Sequence, residues 1–241
     1  MSIHLTSYGQ GKPLVFFHGW GFDSQVWLDL LPLLQEKYQL LLVDFVPMDW
    51  HSFKTELLAL LPAQFSVVGW SLGGLLATRL ALEEPKRVLQ LVNITSSPRF
   101  LKDENWPGVD PVVFDGFYQN LLRDPEGTLL DFLVLQGGEK TPHLPCGHLL
   151  PRGEKGAFVR EDLEKGLALL QSWDLRLDVQ QLAIPTAYFF GRLDPITPAK
   201  TMQTMQELYP NFTYVLFKKA AHMPFLSHTE EFINQLAEFI Q

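Results

Sequence analysis

The sequence predicts an α/β protein: a mostly parallel central sheet flanked by helices, with a helical insertion late in the chain. Three observations lead there. Short apolar runs rich in β-branched and aromatic residues alternate with longer segments of helical period. That alternation stops between residues 99 and 175, where only helical patterns such as VVFDGFYQNLL and REDLEKGLALLQSW occur, and then resumes. With 241 residues, 46% of them apolar and 19% charged, the chain can bury a full core and has no composition for long disorder.

Taken in order, strands are expected at 3–7, 14–17, 40–43, 66–68, 89–94, 186–190 and 214–217. Helices are expected at 24–35, 52–61, 72–84, 197–209 and 229–240, the last with a capped start at Thr229. The core therefore comprises 1–98 and 176–241, and 99–175 forms a helical lid insertion, because a structureless loop of that length is improbable in a compact domain.

A net charge of -8 and a pI near 5.3 leave no basic footprint for nucleic acid. A single cysteine, Cys146, permits no internal disulfide and suits a reducing compartment. There is no basic stretch leading into an apolar signal core and no long apolar run, so the expectation is a soluble, cytoplasmic monomer without membrane contact.

The chemistry centres on SVVGWSLGGLLATRLAL, where Gly69-Trp70-Ser71-Leu72-Gly73 lies between a strand and a helix. G-x-S-x-G alone is short enough to recur by chance, but this setting is that of a nucleophile elbow. A serine held there needs small residues two positions away on each side and faces the amides of the new helix. It also needs a base and an orienting acid, which in such sheets arrive in the order Ser, Asp or Glu, His at later strand ends. Asp194 in FFGRLDPITP and His222 in YVLFKKAAHMPF satisfy that order, and Ser71, Asp194 and His222 are the candidate catalytic residues. After the strand in LVFFHGWGFDS, the amide of Trp20 and that of Leu72 are the candidate oxyanion donors, with His18 holding the loop. Trp20, Trp70, Phe114, Phe117 and Phe132 are available to wall an apolar channel, although Phe114 and Phe117, at helical spacing, fit a core somewhat better. HLPCGH, with His143, Cys146 and His148, lacks a fourth metal ligand, so no metal is expected.

HGWG, GWSLGG, GRLDPITP and AAHMPFLSH together resemble the α/β-hydrolase superfamily. With ITSSPRFLKDENWPGVDPVVFDGF and FLVLQ, the combination is similar to the BioH family of pimeloyl-[acyl-carrier protein] methyl ester esterases of biotin synthesis. The resemblance implies an α/β-hydrolase fold, a serine carboxylesterase with an acyl-enzyme, no cofactor, and transient contact with an acyl carrier protein. It also implies that Phe132 and Gln136 line the acyl passage. The sequence lacks the family's usual loop after the third strand, which leaves the wall at 47–50 shorter or differently shaped. Arg123, Lys140, Arg152, Lys155, Arg160 and Lys165 form either a docking patch for the carrier or a solvated face interleaved with acids. A broad short-chain carboxylesterase, a carbon–carbon bond hydrolase, and a hydrolase-like ligand-binding protein with little turnover remain the alternatives.

Overall fold

The computed structural model describes residues 3–45, 49–137 and 160–240. Seven strands form one sheet in the order β1-β3-β2-β4-β5-β6-β7. They are β1 (Ile3–Tyr8), β2 (Lys12–Phe17), β3 (Tyr38–Phe45), β4 (Phe65–Trp70), β5 (Val88–Ile94), β6 (Thr186–Gly191) and β7 (Thr213–Phe217). β1 runs antiparallel to β3 with Ile3 opposite Phe45, and every other pairing is parallel. All seven expected strands are present, each longer by a residue or two at one or both ends.

The central strands are buried on both sides, which is why they read as continuous apolar runs without alternation. Alternate residues of one strand enter different cores. Val15, Phe17, Val67 and Leu91 join Phe53 and Leu57 of α2 (Trp50–Leu60) and Leu75, Leu76 and Leu80 of α3 (Leu72–Glu83). Leu14, Phe16, Val68 and Val92 join Trp27, Leu34 of α1 (Leu31–Leu34), and Phe232 and Leu236 near the C-terminus. Each such side chain contributes about 1.5–3 kcal/mol by leaving water, so both faces of the sheet hold helices firmly.

Between β5 and β6 lie α4 (Pro111–Arg123), α5 (Pro125–Gly137) and α6 (Arg160–Ser172). Among the described residues, the backbone pairings there are isolated bridges such as Leu101 with Val109. Asp110 begins α4 by accepting from the amide of Val112 at 2.9 Å, with Pro111 in the first turn where no amide is needed. Leu163 and Leu167 of α6, Leu121 of α4 and Leu129 of α5 join the core over α3, fixing this helical layer above the C-terminal edge of the sheet.

Among the described residues the other α-helices are α7 (Ala199–Leu208), α8 (Pro224–Ser227) and α9 (Thr229–Phe239). The expected cap at Thr229 is not made: His228 is the cap position and its side chain makes no capping bond to the helix, and the Thr229 hydroxyl donates to the Leu226 carbonyl at 3.0 Å. The preceding short helix α8 leaves that carbonyl available, so the hydroxyl turns back to it. Among the described residues no helix is long and apolar enough to cross a membrane.

Candidate active site

Ser71 follows β4 directly and precedes α3, with φ 55° and ψ -117°. This left-handed conformation costs a non-glycine residue on the order of 1–3 kcal/mol and persists only where the surroundings hold it. A Cβ on Gly69 would lie 2.6 Å from the Cα of Gly74, and one on Gly73 would lie 2.5 Å from the His18 carbonyl oxygen. The two glycines are therefore clearances, one for the helix against its own strand and one for the helix against the end of β2. The Ser71 amide donates to Ile94 at 3.0 Å, and its carbonyl accepts from Gly74 and Leu75, locking the turn from both sides.

Asp194 and His222 come from the loops after β6 and β7, and the structure brings them together. His222 Nδ1 lies 2.7 Å from Asp194 Oδ2, with both side chains fully buried. The other carboxylate oxygen accepts from the amides of Ile196 at 2.8 Å and Thr197 at 3.1 Å, so Asp194 is also the loop carboxylate that the strand-end position suggests. With Nδ1 donating to the carboxylate, Nε2 of His222 is left as the acceptor, and it is buried with no hydrogen-bond partner among the described residues. A buried imidazole nitrogen in that state is ready to take a proton from a hydroxyl presented to it.

His18 directly follows β2 and stacks on Phe45 with ring centres 4.1 Å apart. Its Nδ1 donates to the Gly19 carbonyl at 2.9 Å, and its Nε2 accepts from the Phe45 amide at 3.4 Å. Burial holds its pKa below the usual histidine value, so it stays neutral and ties the loop to β3. Farther along, Ser24 donates to Asp44 through its amide at 2.5 Å and its hydroxyl at 2.8 Å. Asp23 accepts from the Gln25 amide, and burial, reinforced by Asp44, pushes its pKa up to about 6. Among the described residues, the amides of Trp20 and Leu72 donate to no protein carbonyl, which leaves both available to an oxyanion.

An apolar cavity of about 110 Å³ opens beside Ser71, with Trp20, Phe114, Phe117, Phe132, Leu167 and Ile196 among its walls. Phe114 and Phe117 thus both pack in the core and face the cavity. The Trp20 ring meets Phe132 and Phe117 at 5.1 and 5.4 Å, and its Nε1 donates to the Leu163 carbonyl of α6 at 2.8 Å. A Cβ on Gly166 would lie 2.6 Å from Trp20 Cδ1, so only glycine lets α6 rest on this ring. Nothing in the sequence around Gly166 signals that role, because its partner is far away in the chain.

Two expected substrate-binding residues lie elsewhere. Trp70 is fully buried in the opposite core, between Phe22 and Phe225, and its Nε1 donates to the His222 carbonyl at 2.9 Å. Its position next to Ser71 in β4 sends it to the face away from the cavity. Gln136 is also buried, its amide donating to Phe132 one turn earlier, and it is not among the residues lining the cavity. Of the expected wall at 47–50, Trp50 turns to Trp173 and Glu83, and 47–48 lie outside the described residues.

Among the candidate docking cations, Arg160 pairs with Glu164 at 2.9 Å and Lys165 with Glu161 at 3.2 Å. Arg123 donates to Asn120. Lys140, Arg152 and Lys155, like His143, Cys146 and His148, lie outside the described residues.

A strained serine at a strand-to-helix elbow, a buried Asp–His pair at later strand ends and an apolar cavity beside the serine define an α/β hydrolase of the carboxylic ester type. Residues 46–229 match the model of the alpha/beta hydrolase fold family. A protein of Legionella pneumophila (strain Corby), named pimeloyl-[acyl-carrier protein] methyl ester esterase, is 55% identical across the whole of both chains. One of the same name from Aeromonas hydrophila is 36% identical, again across both chains. The chain belongs to the family of these esterases. Among solved structures, an esterase from Exiguobacterium antarcticum superposes with a TM-score of 0.87 at 20% identity, covering 99% of this chain and 95% of that one. An enol-lactonase from Burkholderia xenovorans gives 0.82 at 15% identity, covering 99% and 96%. At those identities the likeness is one of fold.

Proposed function

We propose that this protein hydrolyses the methyl ester of pimeloyl-[acyl-carrier protein], with Ser71 as nucleophile, His222 as general base and acid, and Asp194 as the group that orients it. The observation that carries the chemistry is the buried Asp194–His222 contact of 2.7 Å with Nε2 left unpartnered, on the same edge of the sheet as Ser71. The substrate is carried by the full-length identity to esterases of that name.

In the first half-reaction Ser71 Oγ attacks the ester carbonyl while its proton passes to His222 Nε2. Asp194 stabilises the resulting imidazolium, and the amides of Trp20 and Leu72 face the developing oxyanion. Collapse expels methanol, which takes the proton from His222, and leaves an acyl-enzyme. A water then gives a proton to the same nitrogen and attacks, releasing the free carboxylate and restoring Ser71. The methylene chain lies along the apolar wall of Trp20, Phe117, Phe132 and Leu167, with its carrier at the outer end, and helices α4 to α6 act as the lid. The pairing of Arg160 and Lys165 with acids favours the solvated-face reading for those two residues, so carrier docking would rely on other cations.

The test is growth without biotin of a bacterial strain lacking its own pimeloyl-ester esterase, supplied with this chain or with Ser71→Ala. Growth restored by the parent alone is expected. A Ser71→Ala protein that also restores growth, or that loses less than about a thousandfold of esterase turnover, would overturn the assignment.

A further inference from the structure

Immediately after β5 the chain contains Thr95 and Ser96, both buried, in the stretch ITSSP that leads into the helical layer. Thr95 has φ 42°, a left-handed conformation that a β-branched residue adopts only under constraint. A plain exit from a strand at that φ would be served better by glycine or asparagine. The contacts explain why threonine is retained. Its hydroxyl donates to the carbonyl of His222 at 2.8 Å, and its amide donates to Phe189 in β6 at 2.7 Å. Its carbonyl accepts from the Thr197 hydroxyl at 3.0 Å, and the Thr197 amide in turn donates to Asp194. Ser96 donates its hydroxyl to the carbonyl of Ser71 at 2.8 Å.

We infer that Thr95 and Ser96 form one positioning unit that sets the nucleophile, acid and base loops relative to one another. This rests on the triad reading above and deepens it. The three loops come from residues far apart in the chain, and each reaches this dipeptide by a buried hydrogen bond from or to a hydroxyl. Bonds to the backbone of Ser71 and His222 fix where the reacting side chains begin, and a displacement of about 1 Å there is enough to cost on the order of a hundredfold in rate. The left-handed φ brings the hydroxyl and carbonyl of one residue to two different loops at once, and the several bonds hold it there.

The experiment compares Thr95→Val, Thr95→Ser and Ser96→Ala with the parent on p-nitrophenyl butyrate, alongside the rate at which a fluorophosphonate labels Ser71. Thr95→Val keeps the branched shape and deletes the hydroxyl. It is expected to lower kcat at least fivefold with KM within twofold, and to slow labelling in the same proportion, at a temperature where circular dichroism shows it folded. Thr95→Ser, which keeps the hydroxyl, is expected to retain more than half of the parent's kcat. If Thr95→Val does not fold, Ser96→Ala carries the same expectation. A kcat loss below fivefold in the folded variant, or an equal loss in Thr95→Ser, overturns the inference. Ser71→Ala run beside them separates the two failures: an active Ser71→Ala enzyme refutes the triad itself, whereas an inactive one beside a fully active Thr95→Val refutes only the positioning role.

Discussion

Replacing Asp194 by asparagine isolates one proton. The two oxygens of Asp194 have different partners: one accepts from the amides of Ile196 and Thr197, and the other meets His222 Nδ1 at 2.7 Å. Backbone amides can only donate, so in the variant the side-chain oxygen must stay on them and the NH₂ group must face the imidazole. Nδ1 then becomes an acceptor, the ring proton moves to Nε2, and Nε2 can no longer receive the proton of Ser71. In serine proteases the corresponding exchange lowers kcat by about 10⁴-fold, equivalent to about 5.4 kcal/mol of barrier, and a similar loss is expected here. The fold should survive, because both amide bonds are kept; Asp194→Ala breaks them and should cost a further 1–3 kcal/mol of stability for each buried amide left without a partner. The assay is stopped-flow release of p-nitrophenol from a short ester, with the burst amplitude reporting acylation and a thermal melt reporting the fold. An Asp194→Asn enzyme that acylates within tenfold of the parent would show that the orientation of His222 is set by something else, and the argument would fail.

Gly73→Ala sets a Cβ against the His18 carbonyl, backbone against backbone, and should lower the melting temperature by several degrees, as scanning calorimetry would show. Gly166→Val should push the Trp20 indole off α6 and reduce kcat about tenfold or more, with a change in tryptophan fluorescence; unchanged turnover would mean that the ring can be displaced without disturbing its amide. Because the folded value of Asp23, about 6, lies above its ordinary 3.8, the folded state holds a proton that the unfolded chain has released between those values. The stability this contributes is present at low pH and lost as pH rises through about 6. The melting temperature of Asp23→Asn relative to the parent should accordingly rise from pH 4 to pH 8, and a constant difference between the two melts would refute the burial argument.

The seven strands and the order of Ser71, Asp194 and His222 were legible because each is a local property. Apolar runs, strand-to-helix turns and glycines at fixed offsets are set by adjacent residues, and a parallel sheet brings its C-terminal loops to one edge whatever the helices do. The side of the sheet taken by Trp70 was less legible. Lying in β4 next to Ser71, it looks like a pocket residue, yet the pleat turns it into the opposite core, where it supports the His222 backbone. The rest required the fold. Gln136 bonding within α5, Gly166 receiving Trp20, and Thr95 with Ser96 joining three loops all depend on how a helical insertion and distant strand ends dock. Docking is decided by packing summed over many residues far apart in the chain, and no local period or spacing encodes that sum. The sequence by itself determined which chemistry this protein carries and on which edge of the sheet; the tertiary structure alone decided what surrounds that chemistry and holds it in register.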